Sequence, residues 1–140
     1  MGNPVRVNVA VSAIIVKKEN GVTKVLLVQQ ARPENKKGLW GLPGGKVDEG
    51  ESFGEALTRE ILEEVGIDKG SYGYEFLKIV HNIPNTTCKH IFTIDLISDV
   101  DIKTDPAEIM EARWIDTKLG FEDLKFRAEW VYPLLKSHFK

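Results

Sequence analysis

Three glutamates at helical spacing constrain this chain of 140 residues more than any other feature of its sequence. Glu60, Glu63 and Glu64 are three and four positions apart, so a helix would carry their side chains on one side. Residues 51–67 contain no lysine that could compensate these charges. Two carboxylates about 5 Å apart at an effective dielectric near 20 repel by roughly 3 kcal/mol. The pattern therefore requires protonation, outward rotation of the side chains or bound divalent cations.

The segment around these glutamates has recognisable helix boundaries. Ser52 is a suitable N-cap, Glu55 completes a capping box three residues later, and Gly66 fits the position after the last turn. A helical wheel places Glu60 and Glu64 inside the apolar face, which makes an ordinary solvated glutamate face a poor explanation. That face is predicted to comprise Phe53, Ala56 and Leu57, with Ile61 and Val65 on its flank.

The chemistry of the cluster indicates which cation it would hold. Oxygen-only ligands favour Mg²⁺ first and Mn²⁺ or Ca²⁺ next. Mg²⁺ retains water molecules and shares its coordination shell with phosphates, so a phosphate ester or anhydride is the expected class of substrate. Upstream, Gly44 and Gly45 would let the backbone approach a metal or a phosphate closely.

Arg59 has two possible roles next to this cluster. Its guanidinium could pair with Glu51 and fix the preceding loop against the helix, or it could contact a phosphate directly. On the helical wheel Arg59 projects opposite Glu60 and Glu64. The wheel therefore favours the structural role.

Length and composition limit the remaining possibilities. The chain is long enough for one domain, residues 1–140, and 42% hydrophobic with 29% charged residues is typical of a soluble protein. A net charge of −2 provides no broad basic field, so we expect no nucleic-acid polymer as partner. The single Cys88 excludes an internal disulfide and favours a reduced, cytoplasmic setting. Val5–Val16 is interrupted by polar residues, so we expect a strand there and no membrane association.

Apolar periodicity and turn residues predict an α/β order of elements. Glu19-Asn20-Gly21 is expected to join the first two strands as a hairpin, and Pro133 should kink the last helix or mark the start of its final turn. The predicted elements are strands Val5–Val16 and Lys24–Gln30, a loop Arg32–Gly38, an irregular segment Trp40–Val47, the helix that follows Ser52, strands Tyr72–Asn82 and Lys89–Ser98 joined through Ile83-Pro84-Asn85, an acidic loop Val100–Ala107, a strand Ala112–Ile115 and a helix Arg127–Phe139.

The 23 residues from Gly45 to Ile67 resemble the Nudix box, G-x5-E-x7-R-E-U-x-E-E-x-G-U, where U is a bulky aliphatic residue. Every specified position matches, and average composition makes a chance match at one start site of the order of 10⁻⁹. The preceding Trp40–Gly44 is similar to the usual lead-in of this family. The resemblance implies an α/β/α sandwich with a central mixed sheet and the Nudix loop-helix-loop.

The resemblance also implies roles for individual residues of the box. The three glutamates would bind divalent ions, Mg²⁺ or Mn²⁺, the Gly45 carbonyl could join them, and two further residues would brace the motif. The implied metal ligands are Gly45, Glu60, Glu63 and Glu64, and the implied supporting residues are Glu51 and Arg59.

Family members often use one more acidic residue from a loop beyond the box. Glu108, six residues before Trp114, is the candidate here, although an acidic loop residue can equally be a solvated carboxylate. The implied reaction is attack of water on a phosphorus of a diphosphate, with a carboxylate accepting the proton. Glu60 and Glu108 are both candidates for this general base. The resemblance gives Glu63 and Glu64 a catalytic role as metal ligands.

The box leaves the substrate open. Short Nudix domains often hydrolyse nucleoside triphosphates to a monophosphate and pyrophosphate, and this chain begins its first predicted strand near residue 5. ADP-ribose or another nucleotide sugar is the alternative, although Pro84 lies seventeen residues beyond Ile67, one residue from a marker of some such enzymes. A third possibility is a non-catalytic module that binds a nucleotide. Either a monomer or a homodimer is consistent with the family.

Several aromatic and imidazole side chains could contact a nucleobase. Each is also compatible with an ordinary role in the core or on the surface. The aromatic candidates are Phe76, Phe92, Phe126 and Trp130, and the histidine candidates are His81 and His90.

Overall fold

A computed structural model describes residues 2–4, 6–82 and 86–140. These residues form seven strands and two α-helices, with short 3₁₀ turns at Glu34–Lys36 and Lys69–Ser71. In chain order these are β1 Asn8–Glu19, β2 Val22–Gln30, β3 Trp40–Gly41, β4 Gly44–Lys46, α1 Phe53–Val65, β5 Glu75–Asn82, β6 Thr87–Leu96, β7 Ile109–Asp116 and α2 Val131–His138. Among the described residues, no helix is long and apolar enough to cross a membrane.

The strands form one mixed sheet between the two helices. Its main order is β3-β2-β1-β6-β5, with β4 added to β1 and β7 added to β2. β1 and β6 are parallel over ten residue pairs, from Asn8 with Thr87 to Lys17 with Leu96, whereas the other pairs are antiparallel. This arrangement confirms the predicted α/β/α sandwich with a central mixed sheet.

Alternation along the central strands divides the core into two layers. Val11, Ala13 and Ile15 of β1 pack in the layer that contains α1, whereas Ile14 packs in the layer that contains α2. β2 alternates in the same way, since Leu26 faces the α1 layer and Leu27 the α2 layer. Each fully buried large apolar side chain contributes about 1.5–3 kcal/mol. A one-residue slip of β1 would exchange the two faces, so its register is strongly fixed.

The predicted hairpin and the caps of α1 are confirmed. Asn20 and Gly21 both have positive φ, 54° and 78°, as the tight β1–β2 turn requires. The Ser52 hydroxyl accepts a hydrogen bond from the Glu55 N–H, and the Glu55 carboxylate accepts one from the Ser52 N–H. Gly66 ends the helix in the left-handed conformation with φ 73°.

Several predicted boundaries were wrong. The first strand begins at Asn8 and continues to Glu19, and the strand predicted at Ala112–Ile115 extends over all of β7 because it pairs with β2. The glycine-rich segment Trp40–Val47 contributes two short strands, β3 and β4.

The last helix was also misplaced by the sequence pattern. α2 begins at Val131 rather than Arg127, which puts Pro133 in its first turn instead of its interior. Proline is tolerated there because the first N–H groups of a helix have no intrahelical partner. The predicted Ile83-Pro84-Asn85 connection, with its Pro84 marker, lies outside the described residues, as does Val5.

Candidate active site

A cleft of about 690 Å³ opens between α1, β4 and the segment before β7. α1 brings all three box glutamates to this cleft, β4 contributes backbone, and the segment before β7 adds a second acidic group. The lining residues are Gln30, Arg32, Pro33, Gly44, Gly45, Lys46, Glu60, Glu63, Glu64, Asp105, Glu108 and Arg127. Residues far apart in sequence therefore form one polar site.

Two glycines of β4 let the helix carboxylates reach the sheet. The Gly44 N–H donates a hydrogen bond of 3.0 Å to Glu64 Oε1. A Cβ on Gly45 would lie 2.5 Å from the Glu60 carboxyl group, and a Cβ on Gly44 would overlap the Val11 carbonyl oxygen of β1. Glycine is required at position 44, where an added Cβ would meet the β1 backbone, whereas at position 45 an added Cβ would displace the flexible Glu60 side chain.

Arg59 ties the loop before α1 to the helix. Its Nε lies 2.7 Å from Glu51 Oε2 and its Nη2 lies 2.9 Å from Glu51 Oε1, a bidentate pair. Nη2 also donates to the Lys46 carbonyl at 3.1 Å, and Glu51 accepts a further hydrogen bond from the Asp48 N–H. The Arg59 guanidinium and the Asp48 N–H lower the pKa of Glu51 to about 2. These contacts match the bracing arrangement that the sequence favoured for Arg59 and Glu51.

The helical wheel was wrong about the direction in which Arg59 points. Arg59 Nη1 lies 2.9 Å from Glu60 Oε1 and 3.4 Å from Glu63 Oε2, so it does not project away from the carboxylates. The Arg59 guanidinium therefore supplies a positive charge next to the carboxylates, although residues 51–67 contain no lysine. The wheel places Cα atoms only, whereas the long Arg59 side chain bends back across the helix surface.

The three box glutamates differ in environment. Glu64 is the most enclosed, and burial raises its pKa to about 7 against the opposing effect of the Gly44 N–H. Burial also raises the pKa of Glu60, although Arg59 counteracts it. The Glu63 side chain is 58% exposed. Two of the three carboxylates are thus costly to ionise where they stand.

A divalent cation would relieve that cost. The donor set is exclusively oxygen, the set that Mg²⁺ prefers. In the described part of the chain, no three His, Cys, Asp or Glu side chains converge closely enough to form a metal-ligand group. Glu60 is turned toward Arg59, and Glu64 toward the Gly44 N–H. The structure thus gathers the candidate ligands in one cleft without arranging them as a closed cage.

Glu108 lies on the opposite wall of the same cleft. Its Oε1 is 2.8 Å from Arg32 Nη2 and 2.9 Å from Arg32 Nε, and its backbone carbonyl accepts the Ala31 N–H at 2.9 Å. The end of β2 thus holds the loop that carries Glu108. Asp105, three residues earlier, also lines the cleft.

Sequence reasoning missed the basic and amide side chains of this region. Arg32, Lys46 and Arg127 line the cleft, together with Gln30, whose buried Nε2 has no hydrogen-bond partner in the described residues. No local motif marks them, because they come from three separate segments, Gln30 with Arg32, Lys46, and Arg127. Lys89, near the same site, had a weak signal: it stands two residues before buried Ile91 on a strand, so alternation places it on the inward face.

The residues proposed for base stacking do not line the cleft. Phe92 is buried in the α1 layer, where it makes edge contacts with Tyr74 and Phe76. The rings of His90 and Phe53 are in tilted contact, with 4.2 Å between their centroids. Phe53 itself is 40% exposed, so this member of the predicted apolar face of α1 is not part of the buried core. The residues of this set absent from the lining of the cleft are Phe76, Phe92, Phe126, Trp130, His81 and His90.

Comparison with known proteins adds family relationships to this geometry. The family described as "NUDIX domain" matches residues 6–135. An RNA pyrophosphohydrolase of Nitratiruptor sp. is 30% identical over 114 residues, which cover 72% of this chain and 74% of that protein. The CTP pyrophosphohydrolase of Escherichia coli is 47% identical over 45 residues, 32% of this chain and 33% of that protein. The chain spans about a third of the length of other curated relatives, with matches that cover 30% and 31% of two of them.

Solved structures share the fold. The NUDIX domain of Shewanella oneidensis NrtR, crystallised with ADP ribose, superposes with a TM-score of 0.80 at 22% identity. The superposition covers 96% of this chain and 87% of that one. At this level of identity, the comparison establishes a common architecture.

Proposed function

This chain belongs to the NUDIX family, and on that basis we propose that it hydrolyses the diphosphate linkage between a nucleoside and another moiety with the help of a divalent metal ion. A nucleoside triphosphate, cleaved to a monophosphate and pyrophosphate, is the favoured substrate. The observation that carries the proposal is the single cleft in which Glu60, Glu63, Glu64 and Glu108 meet three basic side chains. Carboxylates can hold a metal there, while the basic groups attract phosphate.

Mg²⁺ fits the acidic side of the cleft. Glu60, Glu63 and Glu64, with the Gly45 carbonyl and Glu108, would hold it, and Glu51 with Arg59 would keep the loop and helix in register. When bound, Mg²⁺ neutralises phosphate charge and lowers the pKa of water. The raised pKa of Glu64 supports this assignment, because a nearby cation would offset the cost of its buried charge.

The protein's own groups perform the remaining steps. Arg32 and Lys46 lie on the cleft where they can bind the phosphate oxygens and orient the linkage. Either Glu60 or Glu108 accepts the proton of the attacking water. Both line the cleft, and each contacts an arginine, Arg59 in the case of Glu60 and Arg32 in the case of Glu108.

The choice of substrate has support from the relatives. The E. coli enzyme named for CTP favours a nucleoside triphosphate, whereas ADP ribose in the NrtR domain supports the nucleotide-sugar alternative. The Nitratiruptor protein, an RNA pyrophosphohydrolase, adds RNA as a further candidate. A non-catalytic nucleotide-binding module remains the alternative from another functional class.

Phosphate and pyrophosphate release should be measured with Mg²⁺ against nucleoside triphosphates, an oxidised deoxynucleotide, ADP-ribose and 5′-triphosphorylated RNA. We expect turnover of at least one triphosphate, and Glu63→Gln and Glu64→Gln should each lower kcat/KM by about 10²-fold or more. Glu75→Gln on the exposed edge strand β5 is the matched control and should retain activity. Absence of turnover with Mg²⁺ and Mn²⁺, or full activity of both box variants, would refute the proposal.

The general base can be assigned with two further variants. Glu60→Gln and Glu108→Gln both remove an acceptor for the proton. In the variant that lacks the general base, kcat should no longer rise with pH. The other variant should chiefly need a higher Mg²⁺ concentration for activity. Identical profiles for both variants would exclude either as the single base.

A further inference from the structure

A second cavity, of about 290 Å³, lies beside the acidic cleft and shares Lys46 and Arg127 with it. Every charged side chain that lines this cavity is basic: Lys36, Lys46, Lys89 and Arg127. The Lys36 ammonium donates to the Arg127 carbonyl at 2.9 Å, which closes one wall. The lining thus changes from mainly acidic in the cleft to wholly basic in the adjoining space. We call this space the basic cavity.

Lys89 and Arg127 are largely enclosed, and the carboxylate whose charge acts on both of them is that of Glu64. Among the described residues, no carboxylate forms an ion pair with either side chain. Burial and the charge of Arg127 lower the pKa of Lys89 to about 8, and burial also lowers the pKa of Arg127, although the Glu64 carboxylate opposes both shifts. One nearby carboxylate, itself a candidate metal ligand, does not balance two enclosed cations, so the pair favours an anionic ligand.

Trp130 adds a third donor to these two. A narrow extension of about 10 Å³ lies between Lys89, Arg127 and Trp130. The Trp130 Nε1–H is buried and has no hydrogen-bond partner in the described residues. The Lys89 ammonium lies 5.6 Å from the centroid of the indole ring. An ammonium, a guanidinium and an indole N–H can all donate but not accept, so the group they suit is an acceptor with negative charge.

We propose that Lys89 and Arg127 form a specificity subsite for a phosphate that lies outside the hydrolysed linkage, so that the chain selects nucleotides with a third phosphate. This inference rests on the proposed hydrolase function for the identity of the ligand. The basic cavity adjoins the cleft through Lys46 and Arg127, so one substrate can place its scissile diphosphate among the carboxylates and the additional phosphate next to Lys89.

A phosphate suits this subsite better than a nucleobase. A neutral base would add no negative charge beside the two cations, and the only aromatic side chain among the described lining residues is Trp130, in the narrow extension. A phosphate compensates both charges and supplies several acceptor oxygens. A substrate with only two phosphates, both of them in the hydrolysed linkage, would leave the basic cavity unused.

Binding of inorganic pyrophosphate in EDTA tests the subsite without metal and without catalysis. Isothermal titration calorimetry should give binding to the wild type that weakens at least tenfold in Lys89→Gln and Arg127→Gln. Lys18→Gln removes the same charge at the exposed far end of β1 and should bind as the wild type does. Equal affinity in all four proteins would overturn the proposal.

The indole N–H of Trp130 localises the ligand. Pyrophosphate should shift its ¹⁵N–¹H resonance in the wild type, with the peak assigned by Trp130→Phe, and should leave it unmoved in Lys89→Gln. Lys89→Arg keeps the charge and should restore the shift. Pyrophosphate binding that moves no Trp130 resonance, or a nucleoside that moves it when pyrophosphate does not, would contradict a phosphate subsite.

Kinetics connect the subsite with substrate choice. The ratio of kcat/KM for a nucleoside triphosphate to that for the diphosphate should fall about tenfold or more in Lys89→Gln, and an unchanged ratio would contradict the proposed selectivity. Because the EDTA experiment needs no turnover, its outcome is separable from that of the hydrolase proposal. If pyrophosphate binds but no substrate is hydrolysed, the subsite proposal is supported and the hydrolase proposal is refuted. If substrates are hydrolysed but the variants bind pyrophosphate as the wild type does, the hydrolase proposal is supported and the subsite proposal is refuted.

Discussion

At the scale of single residues, Glu64 affects the stability of the fold and is also a candidate metal ligand. Its carboxylate accepts the Gly44 N–H, yet burial raises its pKa from 4.5 to about 7. A raised pKa means that ionisation weakens the folded state as pH rises from 4.5 through 7. Without a cation, Glu64 thus costs stability in neutral and alkaline solution. A site of this kind lowers the stability of the protein without its ligand and favours binding of that ligand.

We predict that Glu64→Gln unfolds at a higher temperature than the wild type at pH 8 in EDTA. The amide keeps an acceptor for the Gly44 N–H but cannot ionise, and the gain should be about 1–3 kcal/mol. The difference should disappear near pH 4, where Glu64 is protonated. Differential scanning calorimetry at both pH values measures it. Glu63→Gln is the control, because its exposed carboxylate should affect stability little, and an equal gain there would contradict the burial argument.

Gly45 allows a second test at a single residue. Its missing side chain leaves room for the Glu60 carboxyl group, which a Cβ would approach to 2.5 Å. Glu60 can rotate away, so Gly45→Ala should fold with nearly unchanged stability but lose about 10²-fold in kcat/KM through displacement of that carboxylate. Gly73→Ala is the control, since nothing lies within 4 Å of its added carbon. Normal activity of Gly45→Ala would show that the position of Glu60 is not critical.

At the scale of elements, the loop before α1 and the helix itself are held as one unit. The capping box fixes the start of the helix, and the Glu51–Arg59 pair fixes the loop one turn further along. Because Arg59 also contacts Glu60 and the Lys46 carbonyl, the same side chain links the loop, α1 and β4. The position of the box carboxylates on α1 thus depends on a contact outside the cleft.

Because of the Glu51–Arg59 pair, the free energy of unfolding should vary with pH in the acidic range. The pKa of Glu51 is lowered from 4.5 to about 2, so its contribution is complete above pH 4.5 and is lost as pH falls toward 2. Urea unfolding between pH 2 and 5 should show a smaller pH dependence for Glu51→Gln than for the wild type. The neighbouring exposed Glu49→Gln should retain the wild-type slope. An unchanged slope in Glu51→Gln would contradict the predicted coupling.

At the scale of the whole molecule, the cleft is assembled from elements distant in sequence. α1 and β4 form one wall, and the segment that carries Glu108 forms the other through its ion pair with Arg32 at the end of β2. A cation bound between these walls would connect both, in addition to neutralising charge. Binding of a cation is therefore expected to stabilise both walls of the cleft together.

We predict that Mg²⁺ stabilises the wild type against heat and slows hydrogen exchange in residues 97–108. At one hundred times the dissociation constant, the stabilisation should be about 2.7 kcal/mol. Thermal unfolding with Mg²⁺ and with EDTA measures the first effect, and exchange mass spectrometry the second. The double variant Glu63→Gln/Glu64→Gln should show neither. An equal response of the double variant would place the Mg²⁺ site elsewhere.

The sequence by itself determined the features that depend on residues near one another in the chain. The caps of α1, the Asn20-Gly21 hairpin and the alternation of β1 follow from local backbone preferences and side-chain periodicity. The Nudix box is also contiguous, so its carboxylates were identifiable before any contact was known. Their shared placement on one helix surface required only the helical repeat.

The tertiary structure alone decided what surrounds those carboxylates. Arg59 turns back toward Glu60, Arg32 meets Glu108 across 76 positions, and Lys89 and Arg127 share one cavity. No local periodicity encodes these pairs, because each depends on which strands of the mixed sheet become neighbours. The parallel β1–β6 pairing and the packing of the segment before α2 bring the basic groups beside the acidic helix. The box therefore indicates the chemistry, and long-range packing sets the environment on which the choice of substrate depends.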